Sequence, residues 1–385
     1  MQSRSSSCWV RSASAINPEI RMSRLLESFE FPNGCTSPNR LWLAPMTNMQ
    51  SHPDGSLSDA ELAWLEMRAA GGFGVIESCA THVSLDGQGW QGEWGVFDDA
   101  HVPDWQRAAA TMHGHGSLLL AQLYHGGARA LRTDGRQPWS ASTQGDTDST
   151  FIAEGTEEQL VNTIAAFADG AARVAAAGGD GIELHAAHGY LLSQFLSTDF
   201  NRRQDSWGGS LENRSRLVLE CLRAVRQRVP ASFIVGVRLS PENWSQLKGL
   251  DLDENVQVAQ WLCESGADFI HLSLWDASKN TSKRPEQHAA RVFRDALPSR
   301  VPIITAGNLW TRDDAEAQLD HGATAVAIGR AAITTPDWPH RVARDGGLAL
   351  RPPVTSQQLL DRALSPSFVK YMDRWPGFVL DPPAP

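Results

Sequence analysis

From Leu25 onward the chain alternates short apolar runs with longer mixed stretches, separated by glycine pairs and polar turns. The apolar runs are Leu41–Ala44, Gly74–Glu77, Ser117–Gln122, Gly181–Leu184, Phe233–Leu239, Gly266–His271, Val301–Thr305 and Ala323–Ile328. The stretches between them predict helices. One spans Asp59–Ala70, capped by Ser58 and stopped by Gly71-Gly72, and another runs from Asp104 through His113. Others cover Glu157–Ala177, stopped by Gly178-Gly179, then 210–228 and Leu252–Ser265. Strands that alternate with helices run parallel and are joined by crossovers. Eight such units specify an α/β fold, a single-domain (β/α)8 TIM barrel with long βα loops. No G-x-G-x-x-G follows the first strand, which argues against a doubly wound sheet. Residues 1–22, rich in Ser and Arg, read as a disordered leader or an over-extended start ahead of Met22. Residues 23–385 read as the barrel with a carboxyl-terminal tail.

Composition narrows the partners. A hydrophobic content of 42% is that of an ordinary globular protein, and no run approaches the roughly 18 apolar residues of a membrane span. A net charge of −10 argues against general affinity for nucleic acid or anionic membrane. Cys8, Cys35, Cys79, Cys221 and Cys263 are odd in number and scattered, with no C-x-x-C. That excludes an obvious zinc or iron–sulfur site and fits a reducing, cytoplasmic setting. Trp90, Trp94, Trp207 and Trp375 fall in loops, where they either wall a pocket or cover the barrel ends.

Active sites of such barrels sit at the carboxyl ends of the strands. Those ends read Ala44-Pro45-Met46-Thr47, Ser78, Gln122, His185, Arg238, His271, Ala306-Gly307 and Gly329-Arg330. Just past His185, a helical turn would bring His188 onto the same face three residues on, with Tyr190 close behind. Two converging imidazoles can hold a carbonyl or nitro oxygen, or a metal. Glycines at the ends of the last two strands admit a phosphate to backbone N–H groups, and Arg330 adds charge. Thr47, Gln122 and Arg238 offer polar partners to a flat heterocycle, so a phosphorylated aromatic cofactor is expected. His271 and His125 are expected to pack at the core edge and to support a loop.

These motifs resemble the Old Yellow Enzyme family, the FMN-dependent NAD(P)H:flavin oxidoreductases or ene-reductases. The resemblance rests on Asn39-Arg40, Ala44-Pro45-Met46-Thr47, Gln122–Gly127 (QLYHGG), His185–Leu192 (HAAHGYLL), Asn201–Arg214 (NRRQDSWGGSLENR), Val237-Arg238, Ala306-Gly307 and Gly329-Arg330. It covers about residues 25 to 340 in order.

The resemblance implies FMN as cofactor, NAD(P)H as reductant and an activated alkene as substrate. It implies that Ala44, Pro45, Met46 and Thr47 lie along the flavin, with the Thr47 hydroxyl toward its O4/N5 side. Ser78 would touch the cofactor through its backbone, Gln122 would bond the pyrimidine edge, and Arg238 would lie by N1 and C2=O. Ala306, Gly307, Gly329 and Arg330 would hold the phosphate end. His185 and His188 would bind the substrate oxygen, Tyr190 would donate the proton, and no metal is implied. Met49 stands where some bacterial members place a substrate-contacting tyrosine, and Trp207 replaces a tyrosine before Gly-Gly. The tail, with Tyr371, Arg374 and Trp375, reaches either its own pocket or a neighbouring subunit, and a homodimer is compatible with that reach. Three rivals remain at this point: a metal-dependent barrel hydrolase, a flavin-binding module without turnover, and a flavin dehydrogenase running oxidatively.

Overall fold

A computed structural model describes residues 23–133, 135–243 and 248–381. The leader expected over 1–22 lies outside the described residues. Eight parallel strands close into a barrel in chain order. They are β1 (Leu41–Leu43), β2 (Val75–His82), β3 (Leu118–Tyr124), β4 (Gly181–Ala186), β5 (Ile234–Leu239), β6 (Phe269–Ser273), β7 (Ile303–Ala306) and β8 (Ala325–Ile328). Pairing of Val326 with Leu41 shuts the ring between β8 and β1.

The expected helices form where their caps lie. Helix α1 (Asp59–Ala70) starts at Ser58, whose hydroxyl accepts the Glu61 amide. Helix α2 spans Val102–Gly114. Helix α3 (Glu157–Ala176) opens on a reciprocal capping box between Thr156 and Gln159. A short α4 (Leu191–Leu196) precedes α5 (Leu211–Arg228), which Ser210 caps, and α6 (Leu252–Glu264) starts on Asp251. Then come α7 (Ala289–Ala296), α8 (Arg312–Asp320), α9 (Arg330–Thr334), α10 (Trp338–Asp345), α11 (Ser356–Leu360) and α12 (Pro366–Met372).

Three strands run further than the apolar pattern indicates. β2 continues past Glu77 to His82, β3 past Gln122 to Tyr124, and β6 past His271 to Ser273. Ser78 therefore sits within a strand, where the β2–β3 register shifts between Glu77 and Ala80. Two short sheets outside the barrel had no counterpart in the sequence reading: Phe29–Glu30 with Thr36–Ser37, and Trp139–Ser140 with Ala153–Glu154.

Alternate residues of each strand face inward. Trp42, Val75, Leu120, Ile234, Phe269, Ile304 and Ala325 form one apolar cluster inside the ring. Phe31 of the amino-terminal hairpin joins it, 6.0 Å from Trp42 and 6.1 Å from Phe269 between ring centroids, and plugs the base. Gly236 is required there, because a Cβ would stand 2.1 Å from the Phe269 ring. One inward step up each strand gives Glu77, Gln122, Glu183 and His271, all buried. The next step gives His185, Arg238 and Ser273. The interior thus passes from an apolar plug through a polar layer to the upper rim.

Candidate active site

A cavity of about 650 Å³ opens at the carboxyl ends of the strands. Ala44, Pro45, Met46, His188, Arg238, Ala306, Gly307, Gly329 and Arg330, all singled out in the sequence, line it. Ser273, Trp275, Asn308 and Trp310, which the sequence reading did not single out, line it too, and so does Trp375. Its size suits a cofactor rather than a single ion. The tail reaches the pocket of its own chain through Trp375 and Pro376. Thr47, Ser78, Gln122, His185 and Tyr190 lie outside the cavity lining.

The loop after β1 is anchored from below. Glu61 of α1, wholly buried, accepts a hydrogen bond from Asn48 Nδ2 at 2.8 Å and a shorter one from the Ser51 hydroxyl. Those bonds hold the turn that presents Pro45, Met46 and Thr47. At the opposite wall, Asn308 Oδ1 accepts from Trp310 Nε1 at 3.0 Å and from an Arg330 guanidinium nitrogen at 2.8 Å, which fixes the arginine. Gly307 lets β6 pass close by, since a Cβ there would fall 2.3 Å from the Leu274 carbonyl oxygen. A Cβ on Gly329 would meet only Met46 Sδ, at 3.5 Å, so any side chain there would intrude on the cavity.

His185 is the penultimate residue of β4, and His188 follows after a turn that is not helical. His188 takes φ 59°, Gly189 follows at 76°, and α4 starts only at Leu191. The left-handed turn, not helical spacing, brings the two rings together, 4.9 Å apart and perpendicular. Tyr190 lies 5.1 Å from His185 between ring centroids, with the Arg129 guanidinium 4.6 Å above its ring. Arg129 also donates to the His188 carbonyl at 2.7 Å.

Burial, and then nearby Arg238 and Arg129, pull both imidazoles well below their ordinary range, so both are neutral at neutral pH. Burial pushes the Tyr190 phenol up, with Arg129 opposing, so it keeps its proton. Ser273 joins two site groups: Arg238 donates to its hydroxyl oxygen at 3.2 Å, and that oxygen lies 2.5 Å from His188 Nε2. The Ser273 hydroxyl therefore ties the His188 ring to the Arg238 guanidinium.

His271 is not packed at the core edge. It is wholly buried inside the ring, where its Nδ1 donates to Glu183 at 2.6 Å. Gln122 Nε2 donates to the other Glu183 oxygen at 2.6 Å, which leaves the amide oxygen of Gln122 as its acceptor. His125 does support its loop, accepting the Gly127 amide at 3.0 Å. Trp207 packs its own loop and donates to Glu157 at 2.6 Å, while Trp94 stacks on Trp105 and covers the barrel.

His185 and His188 acquire no third metal ligand among the described residues. Among the described residues, the His, Cys and carboxylate groups that converge are Glu77, Glu183 and His271. The lining fits FMN instead. Arg238 brings a buried guanidinium whose Nε has no partner among the described residues, and glycine and Arg330 stand at the far end. A sequence signal for Ser273 and Glu183 existed in the two-residue inward period of β6 and β4, counted through their polar positions.

The family described as NADH:flavin oxidoreductase / NADH oxidase matches residues 25–348. A probable NADH-dependent flavin oxidoreductase of Bacillus subtilis is 32% identical over 335 residues, 85% of this chain and 89% of that protein. The NADH:fumarate oxidoreductase of Klebsiella pneumoniae is 32% identical over 341 residues, 85% of this chain but 36% of that longer protein. Among solved structures, the Old Yellow Enzyme homologue of Zymomonas mobilis is 27% identical with a TM-score of 0.75, covering 87% of this chain and 96% of that one. Morphinone reductase in complex with tetrahydroNAD is likewise 27% identical at 0.75, covering 87% and 93%. On the length and order of that match, the chain belongs to the NADH:flavin oxidoreductase / NADH oxidase family, as an FMN-dependent enzyme that draws on NAD(P)H.

Proposed function

We propose that the protein is an ene-reductase, using NAD(P)H to reduce the activated C=C bond of α,β-unsaturated carbonyl or nitro compounds. The observation that carries this reading is the grouping of two neutral imidazoles with a protonated phenol at the cavity rim. Flavin binding alone has no use for that grouping. Bound FMN supplies the two-electron chemistry, accepting hydride from NAD(P)H and delivering it to the alkene.

The chain's own residues do the rest. Ala44, Pro45, Met46 and Thr47 would hold the flavin ring, with Ser78 and Gln122 as further ring partners, and Ala306, Gly307, Gly329 and Arg330 would hold its phosphate. Arg238 places positive charge where the reduced cofactor gains negative charge. His185 and His188 donate to the substrate oxygen, drawing electron density from the β-carbon, and Ser273 steadies the His188 ring through Nε2. Tyr190 gives its phenolic proton to the α-carbon. Residues 23–385 act in this scheme as one FMN-binding unit with a tail that borders the pocket.

An anaerobic absorbance titration tests the reading. The yellow holoenzyme should bleach with NADPH and recover its colour on adding cyclohexenone or maleimide. Bleaching without recovery for any activated enone or nitroalkene would leave the flavin enzyme intact and overturn the substrate class.

A further inference from the structure

Directly under the layer of His185, Arg238 and Ser273 lie two carboxyl groups and an imidazole that the proposed reaction does not use. Glu77, Glu183 and His271 come from β2, β4 and β6, are at most 1% exposed, and converge so that one ligand atom of each lies within 4.8 Å of the others. Glu183 accepts from Gln122 on one oxygen and from His271 Nδ1 on the other, and the Glu77 carboxyl lies against it. Glu77 finds no donor for either oxygen among the described residues, and His271 Nε2 finds no partner either. Two buried carboxylates side by side cannot both remain charged without a cation between them.

The charged and titratable groups that face this cluster are Arg238 from β5, with His185 and His188 above it. Arg238 already supplies one positive charge, enough for one carboxylate. Burial and the Glu183 charge push the Glu77 carboxyl well up, so it holds a proton. Burial also raises Glu183, but the His271 bond, Arg238 and Gln122 outweigh it, so Glu183 stays ionised. His271 is neutral, because burial outweighs the pull of Glu183. With Nδ1–H committed to Glu183, the bare lone pair of His271 is at Nε2.

We propose that Glu77, Glu183 and His271 form a buried proton-holding triad that takes up one proton when the flavin beside Arg238 is reduced. In the oxidised enzyme, Arg238 and Glu183 cancel and the layer is neutral. Reduction by NAD(P)H, which leaves as NAD(P)+, adds one negative charge at the flavin edge that Arg238 faces. One proton from solvent then binds His271 Nε2, forming a single N–H bond and an imidazolium paired with Glu183. It returns to solvent when the cofactor is reoxidised. His271 and Glu183 are positioning residues in this scheme: they set the net charge of the layer around Arg238 and the orientation of Gln122 without touching substrate. The inference rests on FMN binding and is independent of which alkene is reduced.

The test is the midpoint potential of the holoenzyme followed between about pH 6 and 8, where a histidine titrates, with metal content measured on the same sample. The expected slope corresponds to two protons per electron pair, and His271→Asn, whose amide can still donate to Glu183, lowers it to one. If the variant does not hold FMN, Glu183→Gln serves instead, since it removes the anion that stabilises the imidazolium and should likewise lower the count to one. A parent slope of one proton overturns the proposal. So does a slope of two that survives the substitution, which would put the second proton on the cofactor itself. Stoichiometric metal that leaves with Glu77→Gln would replace the proton by a cation and overturn it as well.

Discussion

The His185 and His188 rings stand perpendicular with centroids 4.9 Å apart, although His185 is in β4 and His188 is in a left-handed turn. The turn places two neutral donors on one point. If both bond the substrate oxygen, each should matter mainly when charge builds on it. His185→Ala and His188→Ala are each expected to lower kcat/KM for cyclohexenone by about 10²-fold. The double variant should fall by much less than the product, because the residues act as a unit. Steady-state kinetics with cyclohexenone check this, and fully multiplicative losses would show that the two rings serve separate purposes.

Ser273 makes a finer claim. Its hydroxyl lies between Arg238 and His188 and ties the imidazole to the guanidinium. Ser273→Ala should raise KM for the enone about tenfold, the worth of one well-placed hydrogen bond. FMN affinity should stay within about threefold, and Ser273→Thr should restore KM. A uniform loss of FMN binding in the Ala variant would make the serine a cofactor residue instead.

The barrel was legible because its strands and helices alternate in type and carry clear caps, such as Ser58 before α1 and Ser210 before α5. The ends of β2, β3 and β6 were read too early, at Glu77, Gln122 and His271, for one physical reason. Apolar patterning stops at the first charged or amide side chain, but β3 and β6 continue because their inward polar groups are satisfied by Glu183, which Gln122 and His271 both bond, and β2 continues through a register shift just past Glu77. Ser273 and the buried triad were hidden by the same assumption that polar means strand end. The His185–His188 pair was found through its spacing even though the chain makes a left-handed turn there, since a short connection from a strand end leaves few places for the second ring.

Arg68 of α1 is wholly buried and meets backbone carbonyls instead of a carboxylate. It donates to Ala332 and Ile333 at 3.2 Å, Trp64 at 3.1 Å and Arg362 at 2.7 Å, and its guanidinium lies 3.5 Å from the Trp64 ring centroid. The Ala332 and Ile333 carbonyls belong to the end of α9, the helix that begins at Arg330, so this cation also complements the helix dipole. Arg68→Met should cost on the order of 2–4 kcal/mol, since it strands buried acceptors. FMN retention should weaken with it. Urea unfolding of apoprotein and holoenzyme checks both, and an unchanged midpoint would mean that water replaces the guanidinium.

Acid should unfold the protein partly through His82. Burial, with His101 and His125 adding to it, lowers this imidazole from 6.5 to about 3. Between those values the unfolded chain binds the proton and the folded one does not, so stability falls as pH falls from about 6.5 toward 3. The slope from one such group reaches about 1.4 kcal/mol per pH unit. Glu61, Glu77 and Glu93, whose buried carboxyls are raised, work the opposite way. The comparison must therefore be with the variant: His82→Gln should flatten the acid limb of a urea-melt series relative to the parent, and parallel limbs would contradict the assignment.

Tyr190 is the group on which the alkene chemistry depends. Its phenol is raised by burial, so it remains an acid throughout the neutral and mildly alkaline range. Turnover of an enone should accordingly show no loss from the donor until beyond about pH 10. Tyr190→Phe keeps the ring against Tyr124 and His185 but removes the proton. Reduction of the bound flavin by NAD(P)H should proceed at the parent rate, whereas reoxidation by cyclohexenone should slow by about 10²- to 10⁴-fold. Stopped-flow measurement separates the two half-reactions. Equal slowing of both would mean that the ring shapes the cofactor pocket, and no slowing of reoxidation would send the proton through solvent. Loss confined to reoxidation, together with a solvent isotope effect that disappears in the variant, would assign the transferred proton to this phenol.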